Sequence, residues 1–114
     1  MTTIDFSICD NYVEISVIGH SGYGVSGNDI VCSAVSILTF SLYSYLTSAS
    51  DRKYVDQLEV KMDEADITLK FFVIDNSVYE AVMQTLLGFE LLEENYGKYV
   101  HYSPKGRELL EAIK

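Results

Sequence analysis

A cysteine, a histidine and a glycine-containing loop lie close together in the first third of the chain, in the stretch GHSGYGVSGNDIVC. Cys32 falls in the first turn of a predicted helix, where unpaired backbone N–H groups favour the thiolate, the nucleophilic form of the side chain. His20 ends a predicted strand, and the loop can fold back to bring its imidazole beside the sulfur. The pattern is compatible with a nucleophilic Cys–His pair, although a lone cysteine in an apolar helix is also commonly a small buried hydrophobe.

The same loop admits a second chemistry. Gly22, Gly24 and Gly27 have the G-x-G-x-x-G spacing of a dinucleotide-binding turn between a strand and a helix. Against this interpretation, an additional strand precedes the unit, and Asp29 places a negative charge where a pyrophosphate would bind. The glycines also fit the simpler role of loop mobility. A hydrolase serine elbow is excluded, because it requires G-x-S-x-G and a glycine directly follows Ser21.

Length and charge indicate one acidic globular domain. The chain has 114 residues, of which 48% are hydrophobic and 22% charged, enough for a single two-layer core. Its formal net charge of −9 repels phosphate backbones and anionic lipid and attracts basic ligands. We therefore expect one domain over residues 1–114, no direct nucleic-acid partner, no membrane partner, and a basic peptide or protein as the favoured ligand.

Neither the amino end nor the cysteines point to secretion or to a metal. The amino end lacks the basic and apolar segments of a signal peptide, and the apolar run AVSILTFSLYSYL is shorter than a bilayer span. Cys9 and Cys32 lack the CxxC spacing of a disulfide framework or zinc site, and His20 and His101 add no ligand spacing. We expect reduced thiols in a cytoplasm, no cofactor and no metal.

Hydrophobic periodicity predicts the elements that position the loop. Alternation in TIDFSIC and YVEISVIG predicts one β-hairpin, and alternation in YVDQLEVKM and DITLKFFVI predicts a second. Helical spacing predicts a helix from Asn28 or Asp29 to about Ser48 and another over about 77–94. KYVHY predicts a short strand, and a last short helix is expected to begin at Ser103-Pro104. The order ββαββα plus a short C-terminal segment predicts the α+β class, a two-layer sandwich of a mostly antiparallel sheet with two main helices.

Strand alternation predicts that the His20 side chain points away from the first helix unless the backbone turns before it. A period of two puts His20 on the side of Ser16 and Ile18, opposite the Val17 face that the first helix is expected to cover. A twist or bulge at Gly19 must therefore redirect the imidazole towards the helix.

The run VIGHSGYGVSGNDIVCSAVS closely resembles the signature of the bacterial ribosomal-processing cysteine proteases. In both, a strand ends in Gly-His, a glycine-containing loop follows, and Asp-Ile-Val-Cys begins a helix before Ala-Val-Ser. The order of elements is similar from about residue 2 to 100, whereas we match no family feature to the SPKGRELLEAIK tail.

The resemblance implies an activity and a partner. It implies a cysteine endopeptidase that removes the N-terminal extension of a large-subunit bacterial ribosomal protein, with Cys32 as nucleophile and His20 as base. It also implies a homodimer. The N-terminal tail of a basic ribosomal protein would suit an enzyme of this acidity.

Further site residues follow from the match. Gly19 is expected to set backbone geometry, and Asp29 to bond the loop or the imidazole, or simply to cap the helix. Ser36 lies one turn beyond Cys32 and either contacts the loop or is a packing hydroxyl. The expected flexible active-site loop consists of Ser21, Gly22, Tyr23, Gly24, Val25, Ser26, Gly27 and Asn28.

A mechanism and a groove complete the expectations. The backbone N–H groups of Cys32 and Ser33 are candidates for stabilising the oxyanion. Tyr23, Val25 and Phe40 could line a groove for an apolar tail, although core packing of Phe40 is the simpler expectation. Two other classes stay open from the residues alone: a non-catalytic protein- or peptide-binding module of the same fold, and a small nucleotide-binding domain using the glycine loop.

Overall fold

A computed structural model describes residues 1–25 and 29–113, without the side chain of Ile113, and contains one five-stranded sheet and three helices. The strands are β1 (Thr2–Cys9), β2 (Tyr12–Ile18), β3 (Val55–Asp63), β4 (Asp66–Val73) and β5 (Val100–Lys105). The helices are α1 (Ile30–Asp51), α2 (Ser77–Tyr96) and α3 (Arg107–Ile113). Both predicted hairpins and both main helices are present, which confirms the α+β class.

The sheet places the end of β2 at its centre. The strand order is β3-β4-β2-β1-β5, and each neighbouring pair is antiparallel except β1 with β5. The predicted mostly antiparallel sheet is therefore confirmed, with one parallel pair at its edge. Because β2 is the central strand, the residues that follow Ile18 emerge between β1 and β4, beside the N-terminal end of α1.

The core lies between one face of the sheet and the two long helices. Alternate strand residues such as Ile15 and Phe71 are buried there, opposite Leu46 of α1 and Phe89 of α2. The helices also pack on each other, because Gly88 of α2 lacks a side chain: a Cβ there would lie 2.6 Å from the Leu38 side chain of α1. Burial of large apolar side chains, at about 1.5–3 kcal/mol each, is what fixes α1 on the sheet.

Helix α1 is longer than the sequence predicted. It has 22 residues and contains an 18-residue window of hydropathy 1.6, so by length and composition alone it could cross a membrane, contrary to our expectation. Only 28% of that window is buried in the fold. The buried residues form one stripe against the sheet, as in a core helix: Val31, Val35, Thr39, Leu42, Leu46 and Ala49. Apolar residues on the other side, Ile37 among them, are exposed.

The C-terminal segment differs from the prediction. Ser103 and Pro104 do not begin a helix but belong to β5, paired in register with Asp5 and Phe6 of β1. Proline is tolerated there because β5 is an edge strand, which needs fewer ladder donors. Helix α3 begins only after Gly106, whose φ of +86° turns the chain back over Ile8.

Candidate active site

Gly19 turns the chain at the end of β2. Its φ is +96°, and an added Cβ would lie 2.5 Å from the carbonyl oxygen of Met1, so only glycine fits. Its N–H donates to the Ala65 carbonyl at 2.7 Å, and its own carbonyl accepts from the Thr2 hydroxyl at 3.1 Å. The turn redirects His20 towards α1, as the strand alternation required, so that His20 lines two cavities together with Cys32.

Asp29 caps α1 and also holds the loop. Its Oδ1 accepts the N–H groups of Val31 and Cys32 at 2.9 and 3.0 Å, and its Oδ2 accepts the Ser21 hydroxyl at 2.6 Å and the Gly24 N–H at 3.1 Å. These hydrogen bonds, that of the Ser21 hydroxyl first, hold the pKa of the Asp29 carboxyl well below its usual range although burial opposes them. The two roles expected for Asp29, loop contact and helix cap, therefore coexist. The alternative cap, Asn28, lies outside the described residues.

Ser21 is the residue whose importance the sequence did not reveal. Its side chain is 2% exposed, its N–H donates to Cys32 Sγ at 3.4 Å, and its Oγ lies 3.5 Å from the same sulfur. The Tyr23 N–H also donates to Ser21 Oγ, at 3.2 Å. This two-residue serine turn is a local pattern that the sequence could have suggested. The contact with the sulfur depends on how the loop folds back.

Two adjacent cavities open on the sulfur. One has a volume of about 670 Å³ and the other about 330 Å³. Five side chains line both of them: His20, Cys32, Ser36, Phe40 and Glu64. The smaller cavity extends between α1 and the β3–β4 turn, past residues Met62 to Ile67. The site is thus a cleft along the first turns of α1, walled by a hairpin turn from the second half of the chain.

Cys32 and His20 share the cleft but are not hydrogen-bonded to each other in the described part of the chain. The imidazole Nε2 of His20 instead lies 3.9 Å from Glu64 Oε1, and both side chains are largely exposed. The two described side chains therefore line one cleft without a direct hydrogen bond, and their catalytic roles stay a prediction.

The N–H groups of Cys32 and Ser33, expected to stabilise the oxyanion, both donate to Asp29, one to its carboxylate and one to its carbonyl, and their role stays a prediction. The expected core packing of Phe40 is wrong, because Phe40 is 40% exposed and lines both cavities.

The remaining predicted residues are placed as follows. Tyr23 and Val25 are exposed and line neither cavity; the Tyr23 ring lies against Tyr96 and Tyr99. Ser36 lines both cavities, and the expected contact with the loop stays a prediction. The loop residues Ser26 and Gly27, like Asn28, lie outside the described ranges.

The fold and the cleft define a class, a small α+β protein with a cysteine at a helix N-terminus and a histidine in the same cavity, as in cysteine-dependent hydrolases. The family model for the cysteine protease Prp matches residues 1–101, and the chain belongs to this family. The family match decides between the three classes that the sequence left open, and identifies a cysteine protease rather than a binding module or a nucleotide-binding domain.

Solved structures have the same fold. The ribosomal processing protease Prp from S. aureus, with a covalently linked product peptide, is 20% identical with a TM-score of 0.74, over 92% of this chain and all of the other. The same protease with a substrate peptide is 19% identical with a TM-score of 0.69, at the same coverage. SMU.848 from Streptococcus mutans is 28% identical with a TM-score of 0.70, over 92% of this chain and 94% of the other. A search of curated proteins finds no significant match.

Proposed function

We propose that this chain is a cytoplasmic ribosomal-processing endopeptidase that removes the N-terminal extension of a large-subunit ribosomal protein, with Cys32 as nucleophile and His20 as its base. The observation that carries the proposal is that Cys32, at the N-terminus of α1, and His20 line the same two cavities in a member of the Prp family. The S. aureus protease of the same fold has been crystallised with substrate and product peptides. A reducing cytoplasm would keep the thiol available.

The chemistry balances with these two side chains and water. His20 takes the proton of the Cys32 thiol, and the thiolate attacks the scissile carbonyl carbon to form a C–S bond. The imidazolium then donates its proton to the leaving amine as the C–N bond breaks. Water, deprotonated by His20, hydrolyses the thioester and returns the thiol.

The oxyanion needs donors that Asp29 does not occupy. The N–H of Gly22 is a candidate, because Gly22 lines the larger cavity and its N–H makes no hydrogen bond within the described ranges. Its φ of +74° is the left-handed geometry in which successive N–H groups converge on an anion.

The walls of the cleft support a basic tail with apolar residues as substrate. Phe40, Met62 and Ile67 supply apolar surface at the smaller cavity, and Asp63 and Glu64 of the β3–β4 turn supply negative charge beside it. The net charge of −9 attracts a basic protein over longer distances. It also disfavours direct nucleic-acid binding.

A homodimer is part of the proposal. Helices α1 and α2 pack side by side, and both carry exposed apolar side chains, Ile30 and Ile37 on α1 and Leu87 and Leu91 on α2. Exposed apolar surface of this kind is typical of subunit interfaces. Sedimentation of the purified protein should give twice the mass of one chain.

Peptide cleavage tests the activity. A peptide that copies the N-terminus of the host ribosomal protein is incubated with the protein, and products are identified by mass spectrometry. Cys32→Ala and His20→Ala should each lower kcat/KM by at least about 10³-fold, because each removes a member of the reacting pair. Cys9→Ala, which removes the exposed thiol at the end of β1, is the matched control and should cleave normally. Cleavage that survives Cys32→Ala would exclude the proposed nucleophile.

A further inference from the structure

The Ser21 hydroxyl has a fixed set of partners. It has one proton, and that proton is directed at Asp29 Oδ2, 2.6 Å away, in a short bond to a charged acceptor. The two lone pairs of Oγ then face the Tyr23 N–H at 3.2 Å and the Cys32 sulfur at 3.5 Å. Ser21 and Asp29 are both buried, so these assignments are not exchanged for water.

This direction of the hydrogen bonds determines which form of the sulfur fits. Since the hydroxyl proton is used by Asp29, the sulfur must be the donor in the contact with Oγ, which requires an S–H. A thiolate at the same place would face a lone pair of Ser21 and would be repelled. The hydroxyl proton could turn to a thiolate only by leaving Asp29.

We propose that Ser21 is a positioning residue that holds resting Cys32 as a neutral thiol, through an S–H···Oγ bond anchored on Asp29, until His20 approaches and takes the proton. The inference rests on the proposed role of Cys32 as the nucleophile. In the transfer the S–H bond breaks, the proton passes to an imidazole nitrogen, and the electron pair stays on the sulfur. Ser21 keeps its bond to Asp29, and its N–H, 3.4 Å from Sγ, continues to donate to the thiolate.

The charges around the cleft act in the same direction. The titratable side chains that line the two cavities with Cys32 are Asp29 at the helix cap, His20 after β2, and Asp63, Glu64 and Asp66 at the β3–β4 turn. All except His20 are carboxylates, which oppose a second negative charge nearby. In this proposal, the approach of His20 is the event that makes the sulfur nucleophilic.

Alkylation of Cys32 tests the inference without a peptide. In a Cys9→Ala background, so that one thiol reports, the rate of reaction with iodoacetamide is measured between pH 5 and 9 with and without Ser21→Ala. Ser21→Ala should react about 2- to 10-fold faster at pH 7, as expected for the loss of one hydrogen bond to the thiol, and its pH profile should move to lower pH. Ser44→Ala, an exposed hydroxyl on α1, should leave the profile unchanged. Ser21→Thr keeps the hydroxyl and should restore the original rate.

A second measurement needs no substitution at Ser21. The infrared S–H stretching band of Cys32 should be present at pH 7 in the Cys9→Ala protein. The inference is overturned if this S–H band is absent at pH 7. It is also overturned if Ser21→Ala stays folded and its pH profile of alkylation is the same as that of the Cys9→Ala protein. Neither readout involves cleavage. If the peptide is cut but the profile does not move, only the role of Ser21 fails; if the profile moves but no peptide is cut, only the proposed protease substrate fails.

Discussion

The ring of Tyr23 lies edge-on against the ring of Tyr99, with their centroids 5.2 Å apart and their planes at 79°. It also meets Tyr96 edge-on at 5.5 Å. These contacts attach the first part of the loop after β2 to Tyr96 at the end of α2 and to Tyr99 in the turn that follows. The loop is thus held by the ring of Tyr23 and by the hydrogen bonds of Ser21 and Gly24 to Asp29.

Removing the ring should loosen the loop. An aromatic pair contributes about 0.5–1.5 kcal/mol beyond its buried area. Tyr23→Ala should therefore speed amide hydrogen exchange at Tyr23 and Gly24 about 2- to 10-fold, measured by NMR. Tyr23→Phe keeps the ring and should exchange like the original protein. Equal exchange in all three proteins would mean that the tyrosine contacts do not hold the loop.

Gly19 and Gly22 both have a positive φ, but replacing them by alanine should lower the free energy of unfolding by different amounts. Gly22→Ala meets no atom within 4 Å, so its cost is the backbone conformation alone, about 1–2 kcal/mol. Gly19→Ala has a similar backbone cost and also clashes with the Met1 carbonyl, so its loss of unfolding free energy in urea should be larger. Displacement of His20 should also lower kcat/KM of Gly19→Ala about 10²-fold. Equal losses of stability would refute the clash.

Asp29, the cap of α1, should make the free energy of unfolding depend on pH in the acid range. The pKa of Asp29 is lower in the folded protein than its ordinary value of 3.8, so the stability it contributes is fully present above about pH 4. That contribution is lost as the pH falls towards the folded-state pKa. Asp29→Asn should be less stable than the original protein at pH 7, because its NH2 group replaces one of the two carboxylate oxygens and cannot accept hydrogen bonds, so either Ser21 and Gly24 or Val31 and Cys32 lose their acceptor. The difference should shrink below about pH 4 in urea titrations.

Asp10→Asn is the control for that experiment, since Asp10 is an exposed carboxylate in the β1–β2 turn. Its free energy of unfolding should follow that of the original protein at both ends of the pH range. A stability gap for Asp29→Asn that stays constant from pH 7 to pH 3 would contradict the role of the carboxylate charge.

The C-terminal helix should be part of the cooperative fold although it lies beyond the family match. Leu110 of α3 is fully buried, whereas its neighbour Leu109 is 42% exposed. Leu110→Ala should therefore cost about 2–5 kcal/mol and Leu109→Ala less than about 0.5 kcal/mol, as measured by urea unfolding. Similar values for the two would show that α3 is only loosely attached.

Local patterns predicted most of the fold, and non-local pairing explains what they missed. The period of two in residues 3–9 and 12–19 is enough to identify a hairpin, because its register depends on neighbouring residues. The parallel pairing of β5 with β1 depends on residues about as far apart as the chain allows, and no local signal reports it. Pro104 was misread for this reason: beside Ser103 it has the pattern of a helix start, and only the edge position of β5 makes it compatible with a strand.

Some residues of the site can be predicted from the local sequence, and others depend on non-local contacts. Cys32, His20 and Asp29 are found from the motif, and the need for a turn at Gly19 follows from the strand period. The role of Ser21 depends on a loop that folds back onto the helix cap. Glu64 comes from a hairpin turn far along the sequence, so neither its proximity to His20 nor the acidic wall of the cleft could be predicted from the loop alone.

The parallel pair at the sheet edge bears on how the protein is made. Thr2 pairs with Val100 and Ser7 with Lys105, so β1 has one unsatisfied edge until β5 has left the ribosome. During that time the nascent chain exposes a strand edge that can associate with other chains, and slow translation before β5 should favour aggregation.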